Sequence, residues 1–366
     1  MTKIGPVPPP SPSFEPEKPK KALKESKHHH TEEVHQSKSS HSRKLQRFGK
    51  TQVSAISAVK ITKSSLKASA PIVPVKNQWN ENSGYCGETA FIAAGMMNGQ
   101  YCSQYDARQM AFPNGNQTDD QLTVGNDDKN DITAANAMHL NYNEYTQSSP
   151  PNSQDFLNWI RSEISQGHPV AIGVFMNSSA FESSEADPEY DHIVTVTNIT
   201  ADTITFNDNG LYGDPPQETF QCSLKDFLQS RHSANAPNSP TYSLRNDGVD
   251  CGIAITGNIS GPNTLPVSIA APLNEDPEIA DGSNERPVSS GVPLTVTISD
   301  LVPGHTYKIY SFRNFNDVPT PPNFVYPTAG YTTYTAPPGA TTYTFPDTIQ
   351  PDQNGATTVI YRVIPN

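Results

Sequence analysis

A thiol attacks a carbonyl carbon well only as thiolate, so a catalytic cysteine needs a positive neighbour or a helix N-terminus to lower its pKa. Cys86 stands directly before GETAFIAAGMMNG (87–99), which reads as a buried helix stopped by Asn98-Gly99. The helix dipole would favour the anion there, and Gly84 and Gly87 would leave room for a substrate to approach the sulfur. A small buried hydrophobe at a helix start fits the same residue, so Cys86 alone decides nothing. The candidate base is His192. It opens the β-branched run HIVTVTNI after the polar EADPEYD, where an imidazole can face a cleft while its strand is buried. Asp208 lies 16 residues on, at the end of TITFND. A tight hairpin would set its carboxylate beside the ring, to hold the tautomer and stabilise imidazolium. Asn207 can do the same through its amide, and strand alternation allows only one of the two. An oxyanion needs a preorganised donor besides the nucleophile's own amide. Gln78, eight residues before Cys86 in NQWNENSGYCG, is that candidate, with Asn80 and Asn82 as competitors. Trp79 either lines a substrate groove beside Gln78 or is a core aromatic.

Rival residues carry less. His168 in GHPVA precedes a buried strand and reads as structural, and His139 as a packed or surface side chain. Asp191 could tune His192, although carboxylates beside histidine are common. Cys102, Cys222 and Cys251 read as space-filling. No CxxC pair suggests zinc, and four cysteines in 366 residues do not make a disulfide framework. No metal or cofactor is called for.

The elements that must position these groups follow from pattern. Ser153 reads as the N-cap of a helix carrying Phe156, Leu157, Ile160 and Ile164, with Gly167 as its stop. PVAIGVF (169–175) is a near-continuous apolar run, expected as a buried strand. HIVTVTNI (192–199) and TITFND (203–208) form a hairpin across Thr200-Ala201-Asp202, QETFQC (217–222) adds a strand, and Ser223 caps a short helix through Phe227. Helices first and antiparallel strands after is an α+β order, assigned to residues 71–256. GNISGPNT (257–264) reads as a linker. Residues 263–366 then hold VPLTVTISD (292–300), HTYKIYSF (305–312), the Thr/Tyr-rich YTTYTAPPGATTYTF (331–345) and TTVIYRVI (357–364), punctuated as in an all-β sandwich. Their texture is that of immunoglobulin or fibronectin type III domains.

Residues 1–70 are rich in Pro, Lys, Ser and His, and too poor in large apolar side chains to offset the entropy of ordering. They are expected to be a disordered basic tail. The tail's His28, His29, His30, His35 and His41 imply no fixed metal geometry, and its stretch 51–66 is apolar enough to dock on the body. The tail holds 14 Lys+Arg against five Asp+Glu, which leaves 11 and 32 of the chain's 25 and 37 for the remainder. A body this acidic argues against nucleic acid as a partner. No 18-residue apolar stretch is present, so no membrane span is expected. MTKIGPVPPPSPSF has no apolar signal region. The expected location is the cytoplasm, or export by a route that needs no signal peptide.

VPVKNQWNENSGYCGETAFIAAGM resembles the nucleophile segment of papain-fold cysteine peptidases, nearest to the bacteriocin-processing (double-glycine) branch. GHPVAIGVF resembles that family's strand before the histidine, DHIVTVTNITADTITFND its His-hairpin-Asn-Asp stretch, and LKDFLQS the small helix beyond. The resemblance spans roughly 71–230. It implies a papain-like fold with Cys86 as nucleophile, Gln78 as oxyanion donor, His192 as base and Asp208 as orienter. Relatives usually carry Pro where this chain has Asn209, and a small residue or Pro where it has Glu88. No transporter is attached, so a role in bacteriocin export does not carry over.

The expected activity is cysteine hydrolysis of an amide or isopeptide bond in a peptide or protein, through a thioester on Cys86. An amine acceptor would make the same residues a transglutaminase-like acyltransferase. The contrasting reading is a papain-fold binding scaffold with an ordinary thiol.

Overall fold

The computed structural model describes residues 70–78, 84–125, 130–177, 190–209, 219–228, 241–244, 250–274, 285–286 and 290–366. Along the chain lie α1 (Cys86–Met96), β1 (Gln100–Cys102), α2 (Gln104–Ala111), α3 (Asn130–Ala137), β2 (Leu140–Glu144), α4 (Ser153–Ser165) and β3 (Val170–Asn177). They are followed by β4 (His192–Ile199), β5 (Thr203–Asn207), β6 (Thr219–Ser223), α5 (Leu224–Phe227), β7 (Thr241–Ser243) and β8 (Gly252–Asn258). The last elements are β9 (Val267–Ala270), β10 (Val292–Ile298), β11 (Thr306–Phe312), β12 (Tyr331–Thr335), β13 (Tyr343–Ile349) and β14 (Thr358–Pro365). The architecture is mixed, with helices set against antiparallel sheets and a C-terminal region resembling a β-sandwich. The expected tail, with its histidines and the stretch 51–66, lies outside the described residues up to position 69. No helix among the described residues is long and apolar enough to cross a membrane.

The sheet that positions the candidate site runs β2-β8-β3-β4-β5-β6, with β7 also paired to β3. β3 lies between β8 and β4, which is why its run VAIGVFMN is apolar at nearly every position: both faces are covered. On one face Ala171, Ile193, Ile253 and Ile255 pack with Phe91 and Ile92 of α1. On the other Val170, Ile172, Val174, Val194 and Val196 meet Phe156, Leu157 and Ile160 of α4. Each of the Val, Leu, Ile and Phe side chains among them contributes roughly 1.5–3 kcal/mol. α1 is buried all round, whereas α4 buries only one stripe. The cap of α4 falls one residue before the expected Ser153. Asn152 is extended, and its side chain accepts from the Gln154 amide. Gly167 ends the helix at φ 85°, a left-handed conformation that glycine adopts without steric cost.

The sandwich sheets are β1-β14-β11-β12 and β13-β10-β9. β10 alternates as expected, burying Val292, Leu294, Val296 and Ile298. β1, which follows directly on α1, pairs with β14 in the register Gln100↔Ile360 and Cys102↔Thr358. Residues before and after the 257–264 stretch therefore share one sheet and one hydrophobic core. β14 is buried on both faces, including Arg362, whose guanidinium reaches the Tyr361 carbonyl (2.9 Å) and Gln100 Oε1 (3.3 Å).

Candidate functional site

Cys86 is the first residue of α1, and Tyr85 precedes it without a side-chain cap. The turn ahead of the thiol is held by polar contacts. Glu88, in the first turn, is fully buried and pairs with Arg108 Nε from α2 at 2.7 Å. Arg108 also donates to the Gly84 and Gln117 carbonyls and stacks 3.6 Å from the Tyr85 ring. Glu88 Oε1 accepts the Leu122 amide as well. This brings Leu122 so close that a Cβ at Gly87 would sit 1.9 Å from its carbonyl oxygen. The space beside Gly87, expected to admit substrate, is filled by the chain's own backbone at Leu122. Tyr190 secures the same segment: its hydroxyl accepts from the Val124 amide and donates to the Val124 carbonyl.

β4 runs beside this turn. Asn209, just past β5, donates through Nδ2 to the Cys86 carbonyl (3.1 Å) and the Ile193 carbonyl (2.9 Å), and its own carbonyl accepts the Gln78 amide (3.0 Å). The segments bearing Gln78, Cys86, His192 and Asp208 thus meet, although Cys86 and Asn209 are 123 positions apart.

The side chains are arranged differently from the expected triad. Cross-strand pairs Val174↔His192 and Ile172↔Val194 put the imidazole on the α4 face, while Ile193 faces α1 and Cys86. The ring stacks near Tyr242 at 6.1 Å, and its Nε2 bonds the main-chain carbonyl of Asp208 at 2.9 Å. The bond that holds the ring thus goes to the Asp208 main chain, not to its carboxylate. Asn207, the other candidate orienter, donates to the Val73 carbonyl at 3.4 Å. Gln78 is half-buried, with Oε1 buried and unbonded. Trp79, Asn80 and Asn82 lie outside the described residues.

The electrostatics follow from burial. Cys86 is 8 % exposed and His192 2 %. Burial, reinforced by the Glu88 carboxylate, pushes the Cys86 thiol up to about 12; the Ile193 and Gly87 amides oppose this only in part. Burial likewise pushes His192 down to about 4, against the pull of its bond to Asp208. Desolvation outweighs the helix dipole, so this arrangement holds a neutral thiol and a neutral imidazole. Proton transfer between them requires the ring to leave the Asp208 carbonyl.

The rival residues have other partners. His168 Nδ1 pairs with Glu163 at 2.7 Å, and Asp191 accepts the Met176 amide at 2.8 Å. His139, at φ 52°, packs edge-on to Phe315. The four cysteines are free thiols. Sequence reasoning missed Arg108, because nothing in QYDARQMA signals a buried guanidinium. The NDNG turn does mark Asn209 as suited to positive φ, though its contacts lay beyond sequence. No protein-family model matches this chain, and no curated protein matches it.

Proposed function

We propose that this chain is a papain-like cysteine hydrolase acting on amide or isopeptide bonds of a peptide or protein, with Cys86 as nucleophile and His192 as base. The carrying observation is the convergence at Asn209: one buried amide bonds both the residue that would attack and the residue next to the one that would take its proton. Cys86 at the head of a buried helix, with a backbone amide beside its sulfur, supports the same reading. In the resting arrangement the thiol is protonated and shielded. On this reading catalysis needs the start of β4 to shift, so that the His192 ring leaves the Asp208 carbonyl and the α4 face and reaches Cys86, with the Asp208 carboxylate orienting it there and Gln78 offering its amide to the oxyanion. The thiol gives its proton to His192 and its sulfur adds to the carbonyl; the C–N bond breaks as the amine leaves with that proton, and water then cleaves the thioester to the carboxylic acid and the free thiol.

A peptidyl acyloxymethyl ketone, which alkylates a base-activated thiolate as its carboxylate leaves, tests this. Modification is expected at Cys86, lost in His192→Ala and retained in Cys222→Ala. If Cys86 and Cys222 react at similar rates, or His192→Ala reacts as the parent does, the hydrolase reading is wrong. The scaffold reading draws on a specific observation too: the imidazole is engaged by a main-chain carbonyl and by Tyr242, away from the sulfur. It expects ordinary, slow reaction of Cys86 under every condition.

A further inference from the structure

We infer that Asn209 is a positioning residue, which ties the Cys86 turn to the His192 strand and governs how readily the thiol is reached. The inference rests on the hydrolase reading only in treating Cys86 as the nucleophile. Asn209 is 2 % exposed, stands at φ 63°, and spends its side-chain amide on two carbonyls from different elements. Its main-chain carbonyl holds the Gln78 amide, so one residue fastens three segments.

The chemistry singles out asparagine. Among side-chain-bearing residues, Asn and Asp enter the left-handed region most readily. Aspartate at neutral pH has no hydrogen to donate and would set a carboxylate against two carbonyl oxygens. Glycine allows the backbone conformation but brings no amide. Proline, which the family resemblance expects here, fixes φ near −65° and cannot adopt this turn. The tie also carries over to the sulfur, because the Ile193 whose carbonyl Asn209 holds is the residue whose amide faces the Cys86 thiol. Loosening it separates the start of α1 from β4 and opens the thiol to solvent. With burial relieved, the thiol returns toward its ordinary value of 9.0.

The test is alkylation of the full chain by iodoacetamide from pH 6 to 10, read cysteine by cysteine by peptide mass. Parent, Asn209→Gly, Asn209→Asp and Asn114→Gly are compared. Asn114 is the control: it is exposed, has φ 66° and donates its main-chain amide to Gln109 Oε1 of α2. Both Asn209 variants are expected to label at Cys86 at least tenfold faster than the parent. Their rate should level off near pH 9 where the parent's still rises, with Cys102 and Cys222 unchanged and Asn114→Gly as the parent. The inference is overturned if Asn209 variants label Cys86 at the parental rate. Equal acceleration at all buried cysteines, which marks general loosening, also overturns it. Should Asn209→Gly fail to fold, Asn209→Asp, close to asparagine in shape, carries the same decision. A parent that resists the peptidyl ketone removes the hydrolase reading, while these alkylation rates still decide the role of Asn209.

Discussion

Two buried arginines divide the molecule. Arg108, beside the Cys86 turn, meets a fully buried carboxylate at 2.7 Å and uses its other nitrogens on the carbonyls of Gly84 and Gln117. Arg362, in the sandwich sheet, is as deeply buried, yet among the described residues it meets no carboxylate and its Nε has no hydrogen-bond partner. Burial also pushes Arg362 down to about 10, although a guanidinium still keeps its proton at neutral pH. The difference shows where the fold spends ionic contacts. Around Cys86 they fix the path of a backbone turn, which apolar packing alone specifies poorly. In the sandwich, alternation and register already fix the strands, and the guanidinium meets neutral acceptors, the Tyr361 carbonyl and Gln100 Oε1, without a directing role.

The sharpest way to break this contrast is to remove one arginine at a time. Arg108→Met leaves Glu88 charged and unpaired, and should cost about 3–5 kcal/mol in urea unfolding. A loss under about 1 kcal/mol would mean the pair directs nothing. Next comes pH. The unfolded chain takes a proton at His192 near pH 6.5, whereas the folded chain resists it down to about 4. This contribution to stability is complete above pH 6.5 and is lost as pH falls through 4, a change on the order of 3 kcal/mol. His192→Gln should flatten that part of the stability-pH curve, and an unaltered slope would show that the ring is not held neutral. Cys86→Ala follows, at about 1 kcal/mol by thermal unfolding, since the thiol fills buried space in the core. The smallest change belongs to Arg362→Met, expected to be neutral or mildly stabilising, because an unpaired buried charge is replaced by an apolar chain of similar length. A loss comparable to that of Arg108→Met would erase the distinction between the two regions.

Legibility follows the same division. β10 was readable because only one of its faces is buried, which imprints alternation on Val292, Leu294, Val296 and Ile298. β3, β4 and α4 were readable for the complementary reasons of a continuous apolar run, β-branched residues and a helical stripe. β1 is too short for any periodicity, and its pairing with β14 joins positions 100 and 360, a distance no local pattern spans. α2 was hidden because its burial is achieved by charged and polar side chains.

At the candidate site, local pattern determined the placement of each residue along its own element: Cys86 at a helix start, His192 at a strand start, Asp208 at a hairpin end. Tertiary structure alone decided which way those side chains face and how dry their surroundings are. The direction of the His192 ring depends on the pairing of β4 with β3, and the state of the thiol depends on its burial, on the Glu88 charge that adds to it and on the Ile193 amide that opposes it. Those are properties of contacts between distant segments, and a dipole or spacing argument cannot supply them.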